Sequence, residues 1–424
     1  MTMLESDPVR PGIRPGLRTR RLPDLAPPYL LLGEFYIAAT LALTFDLVRA
    51  PSIAWLALAA LGVGVALIAP RGAVSEVFVS LPITLLVTWM TFSFVWVADP
   101  RQWRTDVVHL VPAVFATMLV VGVLPVDRTV RAIKAIFLVG VGVTYAMLLL
   151  SPSTATTHPA VGDTPELPGW HGTFGHKTGM MVFLAVGLIT FMCFETNRRL
   201  RYGVYVATFV LAAGSQSATG LSAMFAMLVA AWWLGVYQRQ ERRFSAAYVA
   251  VSIAGAVALL LIMVVGLPLF VNAYGKDMTF TGRTQIWSAS LDAIGKRPLV
   301  GYGLGGVWFN EGLEPTRSII RDTGFRAWHA HNAVIEMLLE GGIIGLVLWV
   351  TAVGSLVVAA WRTMSTNFAL ARWVLLFCVV QLVIGISEVT LFANYIMMMV
   401  IMRGALARDA NHHDAPTRRI IRPR

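Results

Sequence analysis

Read for polarity alone, the chain alternates long apolar runs with short polar breaks. The runs cover residues 29–48, 53–69, 77–97, 107–124, 130–150, 177–194, 202–213, 218–237, 246–271, 343–361, 369–386 and 389–403. Most approach the roughly 20 residues with which a helix crosses a bilayer. They are continuous rather than alternating, which argues against a strand-built barrel. The pattern predicts an all-α polytopic membrane protein of about 12 transmembrane helices. One long polar stretch, residues 272–332, interrupts it between the ninth and tenth segments.

Inside that stretch two helix starts are legible. Thr281 is the expected N-cap of a helix over 283–294, with Ile286, Trp287, Leu291 and Ile294 on its apolar face. It should end by Gly295 or before Arg297-Pro298, because the residue preceding proline disfavours helical torsions. Asn332 is the expected cap of a short helix over 333–340, broken by Gly341-Gly342 before a membrane run resumes. Arg283 then lies in a first turn, where free N–H groups favour an anion. His331 lies just before the second helix, whose positive end disfavours imidazolium and leaves the ring ready to accept a proton.

Composition sharpens the class. The 424 residues are 57% hydrophobic and only 13% charged, with a mean hydropathy of +0.68; an ordinary soluble domain carries about 25% charged residues. The net charge of +11 does not indicate nucleic acid, because the basic residues sit between apolar runs. Counted by side, 23 of the 34 Lys and Arg fall with the two termini, and seven of the remainder lie in the long loop. Such asymmetry places both termini in the cytoplasm and the loop outside. Arg10, Arg14, Arg18, Arg20 and Arg21 make a basic tail, and the first apolar run, which lacks a small-residue cleavage site, reads as a signal anchor. Cys193 and Cys378 lie in apolar runs and are expected to act as small hydrophobes.

Chemistry gathers around a few residues. Arg283 suits bidentate phosphate binding, with Arg297, Arg317, Arg321 and Arg326 near it in sequence. His331 suits a general base. His329 and His331, with His171 and His176, supply half a metal set, but no carboxylate or cysteine cluster completes it in the sequence, and no metal or cofactor is expected. Gly301, Gly303, Gly305 and Gly306 read as tight turns rather than a nucleotide loop. Lys177 stands at the outer end of a membrane segment, either snorkelling or touching a phosphate. Ser215, Gln216, Ser217 and Thr219 form a polar turn that serves helix packing or substrate. Glu34 and Glu388 lie within or at the ends of apolar runs, where a carboxylate is costly enough to suggest a role.

Taken in order, the motifs Gly172-Thr-Phe-Gly-His-Lys177, Ser215-Gln-Ser-Ala-Thr219, Thr281-Gly-Arg283-Thr-Gln-Ile-Trp287, Arg297-Pro-Leu-Val-Gly301-Tyr-Gly303, His329-Ala-His331-Asn332, Leu339-Glu-Gly-Gly-Ile-Ile-Gly345 and Ser387-Glu388 form a series. This series resembles the O-antigen ligase/polymerase superfamily, and most of all the Wzy-type exopolysaccharide polymerases of the succinoglycan-polymerase kind. The resemblance implies a GT-C-like, metal-independent, inverting glycosyltransferase of the bacterial inner membrane. Its organisation would be a cytoplasmic tail (1–28), segments one to nine (29–271), a periplasmic catalytic loop (272–342), segments ten to twelve (343–403) and a second cytoplasmic tail (404–424). The donor would be an undecaprenyl-diphosphate-linked oligosaccharide, with a chain-length co-polymerase as a candidate partner. Arg283 would bind the diphosphate and His331 would activate the acceptor hydroxyl, with Ser215, Gln216, Ser217, Asn332 and Glu388 toward substrate. Many ligases carry an arginine where this chain has Gln216, so Lys177, with Arg326 in reserve, is expected to supply the second cation. That difference favours a polymerase over a ligase acting on lipid A-core. A secondary transporter is the alternative of a different class, but no second copy of the loop motifs supports an internal repeat.

Overall fold

A computed structural model of the chain describes residues 26–48, 51–70, 80–157, 169–240, 282–389 and 394–414. The bundle comprises α1 (Pro28–Thr44), α2 (Ser52–Ile68), α3 (Leu81–Phe92, continued by a 3-10 turn at Ser93–Val95), α4 (Pro100–Val123), α5 (Val126–Leu150), α6 (Lys177–Phe194), α7 (Arg198–Ser215) and α8 (Ala218–Arg239). After the long loop come α9 (Arg283–Lys296), α10 (Thr316–Thr323), α11 (Ala333–Thr363), α12 (Phe368–Gly385) and α13 (Asn394–Asp414). Among the described residues six helices, α4, α5, α6, α8, α11 and α12, are long and apolar enough to cross a membrane. α1, α2 and the stretch Leu81–Val95 are shorter apolar helices. The expected segment at 246–271, the N-terminal tail and Thr281 lie outside the described residues. The protein is a mainly helical, multi-pass membrane protein.

Its apolar residues serve two surroundings. Tyr36, Phe137, Phe191, Trp373, Phe377 and Tyr395 are fully buried between helices, whereas Leu67, Leu149 and Leu150 are more than three-quarters exposed. A helix apolar on every side needs lipid on one of them. Some polar groups within the core pair with one another: the Tyr36 hydroxyl lies 3.0 Å from Thr117 Oγ1, and Trp373 Nε1 donates to Thr190 Oγ1 at 3.0 Å. Glu34, which its apolar setting marked for function, instead joins α1 to α5 through Arg128 (2.9 Å) and Arg131 (3.3 Å).

Several boundaries move for local reasons. The fourth segment begins at Pro100 rather than 107, because Asp99 caps it by accepting from Arg101 N at 3.0 Å. The seventh begins at Arg198, capped by Asn197, which accepts from the Arg199 and Leu200 amides. The last begins at Asn394 and continues to Asp414, well into the stretch that charge assigns to a tail. There Ala405 and Leu406 are buried, and Arg408 donates to the Gly122 carbonyl of α4. The polar loop before α6 carries a pair of two-residue antiparallel strands, β1 (Thr156–Thr157) and β2 (Gly169–Trp170), a small departure from an all-α chain.

The long loop is tied to the bundle at one break. Gly342 (φ 64°, ψ −166°) interrupts α11, and residues 298–303 thread through the gap. Leu339 O and Glu340 O accept from Tyr302 N (2.7 Å) and Gly303 N (2.9 Å), while Ile343 N and Ile344 N donate to Pro298 O (2.8 Å) and Leu299 O (3.3 Å). Four backbone groups that a broken helix would strand are thereby used. The loop also packs its own apolar cluster of Ile286, Ala289, Ala293, Tyr302, Trp308 and Ile319.

A side chain at Gly342 would stand 2.2 Å from Leu299 O, in a torsional region reserved for glycine. Gly342→Ala should therefore lower stability by roughly 1–3 kcal/mol or more. Gly354→Ala, where the structure leaves open space on the same helix, should not. Thermal unfolding of both variants in detergent checks this, and equal melting temperatures would refute it.

Candidate active site

Three polar elements converge at one end of the bundle. α9 begins at Arg283 with Gly282 at the cap position in the left-handed region (φ 84°). α11 begins after Asn332, whose side chain accepts from Val334 N and Ile335 N, both at 3.0 Å. Glu388 follows the end of α12. Asn332 Nδ2 donates to Ile386 O at 3.0 Å, fixing the start of α11 against the end of α12.

Glu388 binds the other two. Arg283 Nη2 donates to Glu388 Oε1 at 3.0 Å, and His331 Nδ1 lies 3.3 Å from Glu388 Oε2. One carboxylate thus holds the arginine and the histidine that the sequence singled out, from positions 105 and 57 residues away. Burial alone would raise the pKa of Glu388, but the His331 hydrogen bond and the Arg283 charge outweigh it and hold the group below its ordinary value. Glu388 is therefore ionised at neutral pH. Its side chain is 11% exposed and that of Arg283 19%, so the pair is largely withdrawn from solvent. Removing one partner from such a pair costs far more than losing a surface bridge.

The histidine segment is held from behind. Ala330, between His329 and His331, gives its amide to Glu336 Oε2 (2.8 Å) and its carbonyl to Trp287 Nε1 (2.8 Å). Trp308 Nε1 in turn donates to Glu336 Oε1 at 2.7 Å. His331 itself adopts φ 50°. A left-handed histidine is uncommon and persists where its surroundings enforce it. The consequence is that the rings of His329 and His331 stand 4.0 Å apart. His329 Nδ1 accepts from His331 N at 3.3 Å. Burial first, then the neighbouring His331, lowers the His329 pKa to about 4, with Arg283 and His176 acting the same way and Glu388 opposing. Glu336, Trp287 and Trp308 were invisible as site residues in the sequence, although Glu336 and Glu340 stand one turn apart in an otherwise apolar stretch.

The remaining candidates are distributed around this centre. His176 caps α6 by accepting from Thr178 N at 3.2 Å, and Lys177 is its first residue. Ser215 Oγ donates to Ala212 O at 2.7 Å, and Ser217 Oγ accepts from Gly220 N at 3.2 Å, so both hydroxyls serve helix ends. Between them Gln216 is exposed at φ 51°. Thr219 Oγ1 lies 2.8 Å from Ser387 Oγ, joining this turn to the residue beside Glu388. Arg326 pairs with Glu311 at 2.8 Å and lies over the Trp328 ring. A carboxylate does complete a three-ligand set that the sequence left open: donor atoms of His329, His331 and Glu388 all lie within 4.8 Å of one another. The Arg283 guanidinium on the same carboxylate competes with any cation there.

The linkage sign for His329 is set by its lowered pKa. The unfolded chain takes up a proton near pH 6.5 and the folded chain only near 4, so stability falls as pH drops through that window and levels off below it. Melting curves between pH 7.5 and 4 should show this slope in the wild type and a shallower one in His329→Gln. Parallel curves would remove His329 from the acid response.

Comparison with known proteins places these motifs. Residues 203–350 match a family model described as O-Antigen ligase, a span that takes in Arg283, His331 and the broken start of α11. Over 105 residues the chain is 38% identical to the Exopolysaccharide production protein ExoQ of Rhizobium meliloti (strain 1021), an overlap of 24% of each chain. The likeness of this multi-pass membrane protein to the O-antigen ligase/polymerase superfamily is thus shown by family match and relative alike, with residues 203–350 carrying the family match.

Proposed function

We propose that the protein is a polysaccharide polymerase that transfers a glycan from a polyprenyl-diphosphate carrier onto a lipid-linked repeat unit. The observation that carries the reading is the Arg283–Glu388–His331 arrangement, in which a buried carboxylate orients a base and anchors a cation. In this reading Glu388 accepts the Nδ1 proton of His331, leaving Nε2 to take the proton of the acceptor hydroxyl. The hydroxyl oxygen attacks the anomeric carbon, the bond to the diphosphate breaks, and configuration inverts. Arg283 keeps further N–H donors beyond the one on Glu388 and turns them to the departing diphosphate, whose growing charge a fixed cation stabilises without reorganisation. Lys177 and Gln216, at the neighbouring helix ends, complete the reach toward phosphate and sugar.

We further place the protein in the inner membrane with both termini cytoplasmic, twelve crossings and the site on the periplasmic side. The distribution of basic residues supports this placement. The name of ExoQ, an exopolysaccharide production protein, favours polymerase. The family description, O-Antigen ligase, keeps transfer onto lipid A-core as the second reading.

Purified protein incubated with lipid-linked repeat should produce a ladder of polymer in the presence or absence of chelator. His331→Ala should slow it about 10²–10⁴-fold, the usual worth of a positioned base. Arg283→Ala and Glu388→Gln should cut it at least as far while leaving membrane insertion intact. Normal polymer from His331→Ala would end this mechanism, and loss of the ladder with chelator would replace Arg283 by a metal at the His329–His331–Glu388 set.

A further inference from the structure

A transferase that joins two lipid-linked glycans must hold two diphosphates, and the centre described above accounts for one. The other end of α9 presents a second place of the same chemistry. A cleft of about 500 Å³ opens there, lined by Trp96, Arg297, Pro298, Leu299 and Val300. Resting on the transferase reading, we propose that this cleft holds the diphosphate of the second lipid-linked substrate, with Arg297 as its cation.

Among the described loop cations Lys296, Arg297 and Arg317 form no ion pair with a carboxylate, and of these three Arg297 lines the cleft. Arg283 pairs with Glu388, Arg321 with Asp322 and Arg326 with Glu311. Among the described residues no carboxylate forms an ion pair with Arg297. Its guanidinium lies 5.1 Å over the Tyr302 ring, which orients it without neutralising it. Tyr302 is itself fixed, its hydroxyl donating to Ala293 O at 3.0 Å and its amide to Leu339 O. Trp96 also lines the cleft: its carbonyl accepts from Arg297 Nη1 at 3.5 Å, and its buried indole N–H has no hydrogen-bond partner among the described residues. An arginine fork suits a polyoxygen anion.

The surroundings fit a lipid carrier rather than a soluble phosphate. Leu299 is 61% exposed at the cleft, and Phe92, Phe94 and Val95, at the end of α3, are each more than half exposed. They form an apolar lane leading from Trp96 along a helix of membrane character. Tryptophan at such a level is characteristic of a membrane–water interface. Both sites lie at the same end of the bundle, because the 298–303 segment that carries Arg297's neighbours threads the break that follows the helix start at Asn332.

The spacing is informative as well. Arg283 opens α9 and Arg297 closes it, a rise of about 21 Å for 14 residues at 1.5 Å each. In the transfer, the attacking hydroxyl lies at one end of the second substrate's oligosaccharide and its diphosphate at the other. Two diphosphates held by the two arginines would thus be separated by an oligosaccharide, not by a single sugar. α9 acts as the spacer.

The test counts bound undecaprenyl diphosphate in phosphatidylcholine nanodiscs by native mass spectrometry. Wild type and Arg297→Lys should bind two molecules, Arg297→Gln one, Arg283→Ala one, and the double variant none. Retention of full wild-type binding by Arg297→Gln overturns the second site, as does equal filling of that position by phosphatidylglycerol. Loss of one molecule in Arg297→Gln with no loss in Arg283→Ala keeps the second site and instead refutes the donor role of Arg283.

Discussion

Backbone amides and carbonyls inside a membrane protein must find partners within the protein, because lipid offers none. The break at Gly342 meets that constraint by letting the long loop supply what the helix lost. Two carbonyls before the break accept from Tyr302 and Gly303, and two amides after it donate to Pro298 and Leu299. The loop is thereby a structural part of α11 rather than a flap above it. Trp89 on α3 adds its indole N–H to Gly341 O at 2.9 Å, and Ser93 accepts from Leu304 N at 3.0 Å, so a third element shares the joint.

From that joint the site follows outward. With residues 298–303 fixed, α9 is anchored at its C-terminal end, and its N-terminal Arg283 is directed toward the end of α12. The short first part of α11 carries Glu336, which grips Ala330 and Trp308. Together with Trp287 this fixes the backbone between the two histidines on both its polar groups. His331 then holds a left-handed conformation that a free loop would not keep. The arrangement places rigidity behind the Arg283–Glu388–His331 cluster.

Much of this was legible in the chain. The apolar runs gave the bundle, because continuous hydrophobicity is a strong signal of membrane helices. Arg283, Asn332 and the Gly341-Gly342 break could be placed from capping and glycine chemistry alone. What the sequence withheld were the long-range partners. Nothing local says that Glu388 reaches both Arg283 and His331, or that Arg326 is taken by Glu311. Nor does the sequence show that the Ser215 and Ser217 hydroxyls bond nearby backbone at helix ends, as serines at helix boundaries do. Boundary errors had the same origin: Asp99 and Asn197 extend helices into polar residues that hydropathy alone assigns to loops.

The place of Glu388 in the chain bears on how the protein comes into being. Arg283 and His331 are synthesised well before Glu388, which becomes available only after α12 has been made. Until then the arginine lacks its counter-charge and the histidine its orienting group. A chain caught partway through insertion would therefore hold both residues in an unassembled state. The contacts that join Arg283 and His331 through Glu388 thus form only when the last helices have entered the membrane.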